Sequence, residues 1–268
     1  MRERCFIYTK LRNSFEKITK AEYICNMGLS TAKIKEIRSL ATKKGRDASD
    51  LFIVEGEKMV SEALESPFET VEVYRRDEIG EEAMSRISQL STPSPALAVL
   101  RRRPVSAPPS GPGLYLALDS IRDPGNLGTI LRIADWFGIR SVIASPDTVD
   151  LYNPKVVQST MGAIFRVDVH YADLISYAAS IRRAGGCVYG TFLDGENLFT
   201  APLNCGADSP AVIVIGNESN GISPDVAAVT DTRLTIPSFP AGERTSESLN
   251  AAAATAITVA EFRRRCYL

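Results

Sequence analysis

The chain has 268 residues, of which 44% are hydrophobic and 24% are charged, and its formal net charge is −1. These values indicate a globular protein of one or two domains, and no apolar run approaches the roughly 20 residues that span a bilayer. The five cysteines form no CxxC pair and His170 is the only histidine, which disfavours a disulfide framework and excludes a metal site with several histidines. We therefore expect no metal and no membrane partner, and the scattered cysteines together with the lack of a visible signal peptide favour a reducing cytoplasm.

The amino-terminal part of the chain is basic. The first 50 residues hold 12 basic and 6 acidic side chains, an imbalance that favours a polyanionic partner. Residues 1–26 show no clear hydrophobic period. We expect them to form a loosely held extension or to precede a natural start at Met27.

A small α/β domain is predicted over residues 27–103. The predicted helices are Thr31–Lys43, Lys58–Leu64 and Asp77–Leu90, and the predicted strands are Leu51–Val54, Val71–Tyr74 and Ala96–Leu100. Basic side chains occupy the polar face of the first helix and continue past its end: Lys33, Lys35, Arg38, Lys43, Lys44 and Arg46. Two interpretations stay open for them, an ordinary solvated helix face and a surface that contacts phosphate groups.

A linker rich in proline and glycine is predicted over residues 104–113, and a second domain over residues 114–268. Strands and helices then alternate. The predicted strands are Leu114–Asp119, Ser141–Ala144, Phe165–Val169, Cys187–Phe192 and Ala211–Gly216, and the predicted helices are Leu127–Phe137, Pro154–Met161 and Leu174–Ala184. Alternation with apolar strands predicts a parallel sheet covered by helices on both faces. Ligands of such sheets bind at the carboxyl ends of the strands.

The first polar loop at those ends is Asp119–Arg132, with the sequence DSIRDPGNLGTILR. Its proline and glycines predict a tight turn into a helix, which exposes Asn126 and sets Arg132 about two turns further along. By itself the segment is compatible with an ordinary helix start that carries a surface arginine. The chain contains neither GxGxxG nor GxxxxGK[ST], which disfavours a dinucleotide or nucleoside triphosphate site.

The second loop is Ile215–Ser223, with the sequence IGNESNGIS. It directly follows the most apolar strand and places Glu218 near the end of that strand. A carboxylate at such a position needs partners, because an unpaired buried charge is costly. Arg132 is the candidate partner.

The third loop joins a short strand, Leu234–Ile236, to an alanine-rich helix near the carboxyl terminus. The helix is predicted to open at Ser246–Ser248, where Ser246 or Ser248 caps the free N–H groups. This places Ser248 and Asn250 at a helix start that suits polar ligand groups. A plain capped surface helix is the alternative.

The segments NLGTILR, GNESNGIS and IP…SLNAAAA, in this order between Leu114 and Phe262, resemble the SpoU (TrmH) branch of the SPOUT RNA methyltransferases. The intervening NPKVVQSTMGAIFRV resembles the family's linking segment. The front segment KIKEIRSLATKKGRDASDLFIVEG is similar to the small substrate-binding domain found with these enzymes. The fold that the resemblance implies is α/β, with a C-terminal parallel-sheet domain that carries a deep trefoil knot and a smaller, L30e-like N-terminal domain.

The resemblance implies methyl transfer from S-adenosylmethionine to a ribose 2′-hydroxyl of RNA, with ribosomal RNA favoured over transfer RNA. It also implies a homodimer with each site near the subunit interface. A transfer RNA 2′-O-methyltransferase and a non-catalytic, RNA-binding knotted dimer are the alternatives. An ordinary doubly wound enzyme with a nucleotide cofactor is disfavoured by the missing glycine motif.

Residue roles follow from the same resemblance. The implied catalytic residues are Asn126, Arg132, Glu218, Ser248 and Asn250. The implied cofactor-binding residues are Gly216, Asn217, Ile236, Ser248 and Leu249, and the basic residues between Lys33 and Arg46 become RNA-binding candidates. The chain departs from the family in residues 238–247, a loop longer than the family's usual turn.

Overall fold

The computed structural model describes residues 29–104, 106–240 and 246–266. The extension predicted over residues 1–26 therefore lies outside the described residues. The chain divides after Arg103 into two compact units. In the described part of the chain, every helix is too short or too polar to cross a membrane.

The first unit is built on a three-stranded antiparallel sheet with the order β1-β3-β2. The strands are β1 (Leu51–Glu55), β2 (Thr70–Arg75) and β3 (Ala96–Arg101). The helices are α1 (Thr31–Ser39), α2 (Lys43–Ser49), α3 (Glu57–Glu65), α4 (Arg76–Ile79) and α5 (Glu81–Ile87). Apolar side chains of α1 and α5 pack on one face of the sheet and form the core of this unit.

Two predicted helices of the first unit are divided in the structure. The single helix predicted over Thr31–Lys43 is wrong, because α1 ends at Ser39 and the Thr42 hydroxyl accepts a hydrogen bond from the Gly45 N–H and so begins α2. The helix predicted over Asp77–Leu90 is interrupted at Gly80. This residue has a φ of 84°, a conformation that glycine adopts without steric cost.

The second unit contains a six-stranded sheet with the order β6-β5-β4-β8-β7-β9, and every adjacent pair is parallel. The strands are β4 (Gly113–Leu118), β5 (Ser141–Ala144), β6 (Asp168–Tyr171), β7 (Cys187–Asn197), β8 (Pro210–Ile215) and β9 (Thr232–Thr235). The helices are α6 (Pro124–Trp136), α7 (Pro154–Thr160), α8 (Leu174–Arg183), α9 (Pro224–Ala227) and α10 (Ala251–Arg265). The predicted α/β class and parallel sheet are confirmed.

Helices cover both faces of this sheet, as alternate residues of β7 demonstrate. Val188 belongs to the apolar cluster formed with α8 and α9. The next residue, Tyr189, meets the Phe262 ring of α10 edge to face, with ring centroids 5.0 Å apart. Because successive side chains of a strand point to opposite faces, α8 and α10 lie on opposite sides of the sheet.

The strand order brings the three polar loops to one edge. The carboxyl ends of β4 and β8 are adjacent, and the Asp119 N–H donates to the Ile215 carbonyl at 2.9 Å. The connections from β4 and from β8 leave in different directions, which is the type of position where parallel sheets bind ligands. Strand β9 is at the edge of the sheet, and α10 returns from it towards β8. The threading of this final segment through a knot stays a prediction.

Candidate functional site

One hydrogen-bonded chain of side chains joins the three loops. The Asn126 Nδ2 donates to Glu218 Oε1 at 3.0 Å, and the Asn250 Nδ2 donates to Asn126 Oδ1 at 2.8 Å. The Asn250 Oδ1 in turn accepts the backbone N–H groups of Ala252 at 2.9 Å and Ala253 at 3.2 Å, at the start of α10. Asn126 therefore contacts both Glu218 and Asn250, which links three of the predicted catalytic residues, one from each loop.

The orientation of both amides in this chain follows from its two ends. An ionised carboxylate only accepts hydrogen bonds, so Asn126 must turn its Nδ2 towards Glu218. Its Oδ1 is then left to accept from Asn250. The N–H groups at the helix start only donate, which requires the Oδ1 of Asn250 on that side. The carboxylate at one end and the N–H groups at the other require the same orientation of the two amides, so the network has one consistent arrangement of donors and acceptors.

Glu218 also accepts hydrogen bonds from the chain at the start of the first loop. The backbone N–H of Asp123 lies 3.3 Å from its Oε1, and that of Arg122 lies 3.5 Å from its Oε2. Burial by itself raises the pKa of Glu218, but the hydrogen bonds from Asn126 and from these N–H groups outweigh it and leave the pKa below its ordinary value. The carboxylate is therefore ionised at neutral pH.

Helix α6 presents Asn126 differently from the prediction. Asp123 caps the helix by accepting the Asn126 N–H at 2.8 Å, and Asn126 is buried rather than exposed. Gly128 does not shape the helix start. A Cβ on Gly128 would lie 2.3 Å from the Ser159 Cβ, so this glycine allows α6 and α7 to pack closely.

Arg132 lies outside the network within one chain. It follows Asn126 by six residues, which separates the two side chains by about 120° around the helix axis. The side chain is exposed, and it forms no hydrogen bond or ion pair with any residue that the structure describes. The expected pairing of Arg132 with Glu218 is thus wrong for a single chain, because Asn126 and backbone N–H groups satisfy the carboxylate.

The start of α10 also differs from the prediction. The helix begins at Ala251 and is capped by Asn250, not by Ser246 or Ser248. Asparagine is among the strongest capping residues, and here its amide also bonds to Asn126. Ser248 is exposed and has no hydrogen bond within the described ranges, so its hydroxyl remains available.

The second loop is a narrow turn held by its own backbone. Asn217 and Gly221 exchange two backbone hydrogen bonds of 2.9 Å. The Asn217 side chain donates to the Ser120 carbonyl at 2.7 Å and accepts the Ser219 N–H at 2.9 Å. These contacts engage its amide in holding the loop in shape, and its role as a cofactor-binding residue stays a prediction. A Cβ on Gly216 would lie 2.3 Å from the Gly221 carbonyl carbon, so only glycine fits here.

The remaining predicted cofactor residues offer apolar surface and backbone. Ile236 is half-buried and Leu249 is 50% exposed, one on each side of the third loop. Together with the backbone at Gly216, these are suitable contacts for S-adenosylmethionine, whose adenine is flat and largely apolar. No cluster of metal-ligating side chains occurs among residues 29–104, 106–240 and 246–266.

A fourth segment at this edge was missed by sequence reasoning. Strand β7 lies between β8 and β9, and its pairing with β9 shifts between Thr191 and Glu196. The residues between them leave the ladder, and Leu193 is exposed there, beside the third loop, where its carbonyl accepts the Thr235 hydroxyl at 3.2 Å. The aspartate and glycine that follow Leu193 were the available signal. Only the strand order reveals that this irregular part of β7 lies between β8 and β9, and so between the strands that lead into the second and third loops.

The basic side chains of the first unit are not equivalent. Lys33 forms an ion pair with Glu72, and Lys43 forms one with Asp47 at 2.8 Å. Arg46 is only 2% exposed and donates to carbonyl groups after the end of α1, which removes it from the surface predicted to contact RNA. Three members of the set are exposed and have no ion pair in the part of the chain that the structure describes: Lys35, Arg38 and Lys44.

The parallel sheet and the joined loops at its carboxyl edge define a methyltransferase domain of the SPOUT class. Residues 113–260 match the model of the SpoU rRNA Methylase family, and residues 31–94 match the MRM3-like substrate binding domain. The chain belongs to the SpoU rRNA Methylase family, which confirms the resemblance identified from the three motifs.

Individual relatives agree with this assignment. The 23S rRNA (guanosine(2553)-2′-O)-methyltransferase RlmP of Bacillus subtilis is 32% identical over 247 residues, which cover 86% of this chain and 96% of the relative. A solved structure from Porphyromonas gingivalis, assigned to the TrmH family of RNA methyltransferases, has 41% identity and a TM-score of 0.80, covering 89% and 100% of the two chains. The AdoMet-bound rRNA methyltransferase of Sinorhizobium meliloti has 29% identity and a TM-score of 0.78, covering 90% and 97%.

Proposed function

We propose that this protein transfers a methyl group from S-adenosylmethionine to a ribose 2′-hydroxyl of ribosomal RNA in the cytoplasm. The observation that carries the proposal is the chain Glu218–Asn126–Asn250, which joins the family's three loops at the carboxyl edge of the sheet. The RlmP relative, named for 2′-O-methylation of 23S rRNA, supports the substrate class. We assign RNA recognition to residues 27–103 and methyl transfer to residues 114–268.

The cofactor would lie against backbone and apolar groups. Gly216 lets the second loop fold back tightly on Gly221 and would offer its backbone to the cofactor. Ile236 and Leu249 offer apolar contacts from the third loop. When bound, S-adenosylmethionine supplies a methyl group made electrophilic by its sulfonium. Asn217 contributes by holding the second loop in shape.

Arg132 stabilises the 2′-oxygen as negative charge develops there. A guanidinium is almost always protonated, so donation of hydrogen bonds to the alkoxide suits it better than removal of the proton. The free hydroxyl of Ser248 contacts the ribose. The hydrogen bond between Asn126 and Glu218 holds the first and second loops in a fixed position, so that the hydrogen-bond donors of the site are already oriented when the ribose binds.

In a homodimer, Arg132 of one subunit would reach the three loops of the other subunit. Trp136 lies one turn after Arg132 on α6 and is 85% exposed. Burial of this large apolar ring would stabilise a dimer, and a second copy covering it would carry the neighbouring Arg132 towards the partner's loops. Light scattering tests this point: we expect the mass of a dimer, and a monomer at micromolar concentration would contradict it.

Methylation of 23S rRNA with a tritium-labelled methyl donor tests the function. We expect labelled dinucleotides after alkaline hydrolysis, because a 2′-O-methyl group prevents cleavage of the adjoining phosphodiester. Arg132→Ala should lower kcat by about 100-fold or more, the range seen when one donor to a developing oxyanion is removed. Its melting temperature should be unchanged, because the side chain is exposed and unpaired among the described residues.

The alternatives give different results in the same assay. Label in transfer RNA but not in ribosomal RNA would show that the protein is a transfer RNA 2′-O-methyltransferase, with the same reaction on a different substrate. Binding of RNA without binding of S-adenosylmethionine, measured by calorimetric titration, would identify a non-catalytic RNA-binding dimer.

A further inference from the structure

Arg122 touches the network through its backbone and carries an exposed guanidinium. Its backbone N–H donates to Glu218 Oε2 at 3.5 Å, and it precedes Asp123, the cap of α6. The side chain itself is 71% exposed. The backbone of Arg122 thus belongs to the candidate site, while its charged group projects from it and has no role in the reaction proposed above.

Asp147 orients this guanidinium without neutralising it fully. The Arg122 Nη2 lies 3.7 Å from Asp147 Oδ2. The Asp147 carboxylate is anchored in turn, because it accepts hydrogen bonds from the Ser120 hydroxyl and from the Ser145 hydroxyl, the latter at 2.7 Å. A long, exposed ion pair of this kind contributes little free energy, so the donors of Arg122 remain available to a stronger acceptor.

Arg233, an arginine of the edge strand β9 in the same sheet, is restrained much more firmly. Its Nη2 lies 2.6 Å from Asp194 Oδ1, and its guanidinium stacks over the Phe192 ring at 3.6 Å from the centroid. Two close contacts engage Arg233, whereas the one ion pair of Arg122 within the described residues is 3.7 Å long. Arg122 is therefore the better candidate to bind a ligand.

We propose that Arg122 binds a backbone phosphate next to the target ribose and so positions that ribose over Asn126 and Glu218. A guanidinium presents a planar set of donors that matches two phosphate oxygens. Such a contact sets the register of the RNA without reading its sequence. This inference rests on the proposed function, because it requires RNA at the carboxyl edge of the sheet.

Two substitutions and a matched control test the role. Arg122→Ala removes the guanidinium but keeps the backbone N–H that bonds to Glu218, and Arg122→Lys keeps the charge but loses the planar fork. Arg140→Ala is the control, because Arg140 is 67% exposed and lies 3.5 Å from Asp135, just before the amino end of β5. The two arginines thus match in exposure and in having a long ion pair, but Arg122 lies at the carboxyl ends of the strands and Arg140 at the amino ends.

The measurements are steady-state methylation and filter binding with 23S rRNA transcribed in vitro. For Arg122→Ala we expect the KM for RNA to rise roughly three- to tenfold with kcat within about twofold of the wild type. The slope of log affinity against log salt should fall by about 0.7 to 1, the share of one phosphate contact. Arg122→Lys should recover part of the affinity, and Arg140→Ala should match the wild type in both assays.

Equal RNA affinity and equal salt slope for Arg122→Ala and the wild type would overturn the inference. An equal loss in Arg140→Ala would also overturn it, because the effect would then reflect net charge alone. A fall in kcat at unchanged KM would assign Arg122 to the chemical step instead of RNA positioning. The proposed function would fail in a different way, namely if the wild type methylated no RNA. The outcomes for Arg122 are measured only when the wild type methylates RNA, so the two failures can be told apart.

Discussion

Replacing Glu218 with glutamine tests whether the network at the sheet edge depends on an acceptor-only group. The carboxylate accepts from Asn126 Nδ2 and the Asp123 N–H on one oxygen, and from the Arg122 N–H and Asn217 Nδ2 on the other. In Glu218→Gln one oxygen becomes an NH2 group. Either orientation of the new amide then sets a donor against a donor, so at least one N–H loses its acceptor.

The size of the effect follows from that lost partner. A buried donor left unsatisfied costs about 1–3 kcal/mol, and because Glu218 is half-buried, about 1–2 kcal/mol is the better estimate. If methyl transfer depends on the placement of Asn126, this corresponds to a decrease in kcat/KM of roughly five- to thirtyfold. The matched control is Asp225→Asn, an exposed carboxylate seven residues further along, which should retain wild-type values.

The dependence on pH gives a second readout. Because the folded-state pKa of Glu218 is lowered, its stabilising contribution is complete at neutral pH and is lost as the pH falls through that lowered pKa. Glu218→Gln has no such group, so the difference in stability between the wild type and the variant should shrink on acidification. Wild-type kcat/KM and melting temperature in Glu218→Gln at neutral pH would refute the reasoning.

Two further predictions concern stability. Gly128→Ala places a Cβ 2.3 Å from the Ser159 Cβ and 2.8 Å from its carbonyl carbon, so α6 and α7 must separate at a cost of about 1–3 kcal/mol. The melting temperature of Gly128→Ala should be several degrees below that of the wild type. Gly111→Ala is the control and should show no decrease, because its Cβ meets nothing within 4 Å. Equal melting temperatures for Gly128→Ala and the wild type would contradict the close packing. Burial raises the pKa of Glu55, against hydrogen bonds from Ser88 and Gln89, so the wild type should gain stability as the pH falls from neutral through this raised pKa. Glu55→Gln should lack that gain in a thermal unfolding series between pH 7 and pH 4, and a parallel response in both proteins would contradict the assignment.

Much of the second unit was predictable because its signals are local. Apolar strands that alternate with helices can bury their side chains only in a covered parallel sheet, and the predicted strands over Ser141–Ala144 and Ala211–Gly216 agree with β5 and β8 within one residue. The three motifs were also readable, since each combines glycine, asparagine and acidic or hydroxyl residues at the end of an apolar run. The division of the first predicted helix was not foreseen, because apolar periodicity does not reveal that Thr42 caps a new helix.

The contacts between the motifs depend on the tertiary structure. Which loop residues touch is decided by the adjacency of β4 and β8, and nothing local to either strand specifies that pairing. Asn126 is buried because α10 returns to cover it through Asn250, and that contact leaves Arg132 on the outer side of α6. The sequence by itself determined the elements and the chemistry of each loop. The fold alone decided their partners, because residues 92 and 124 positions apart meet only after the sheet has formed.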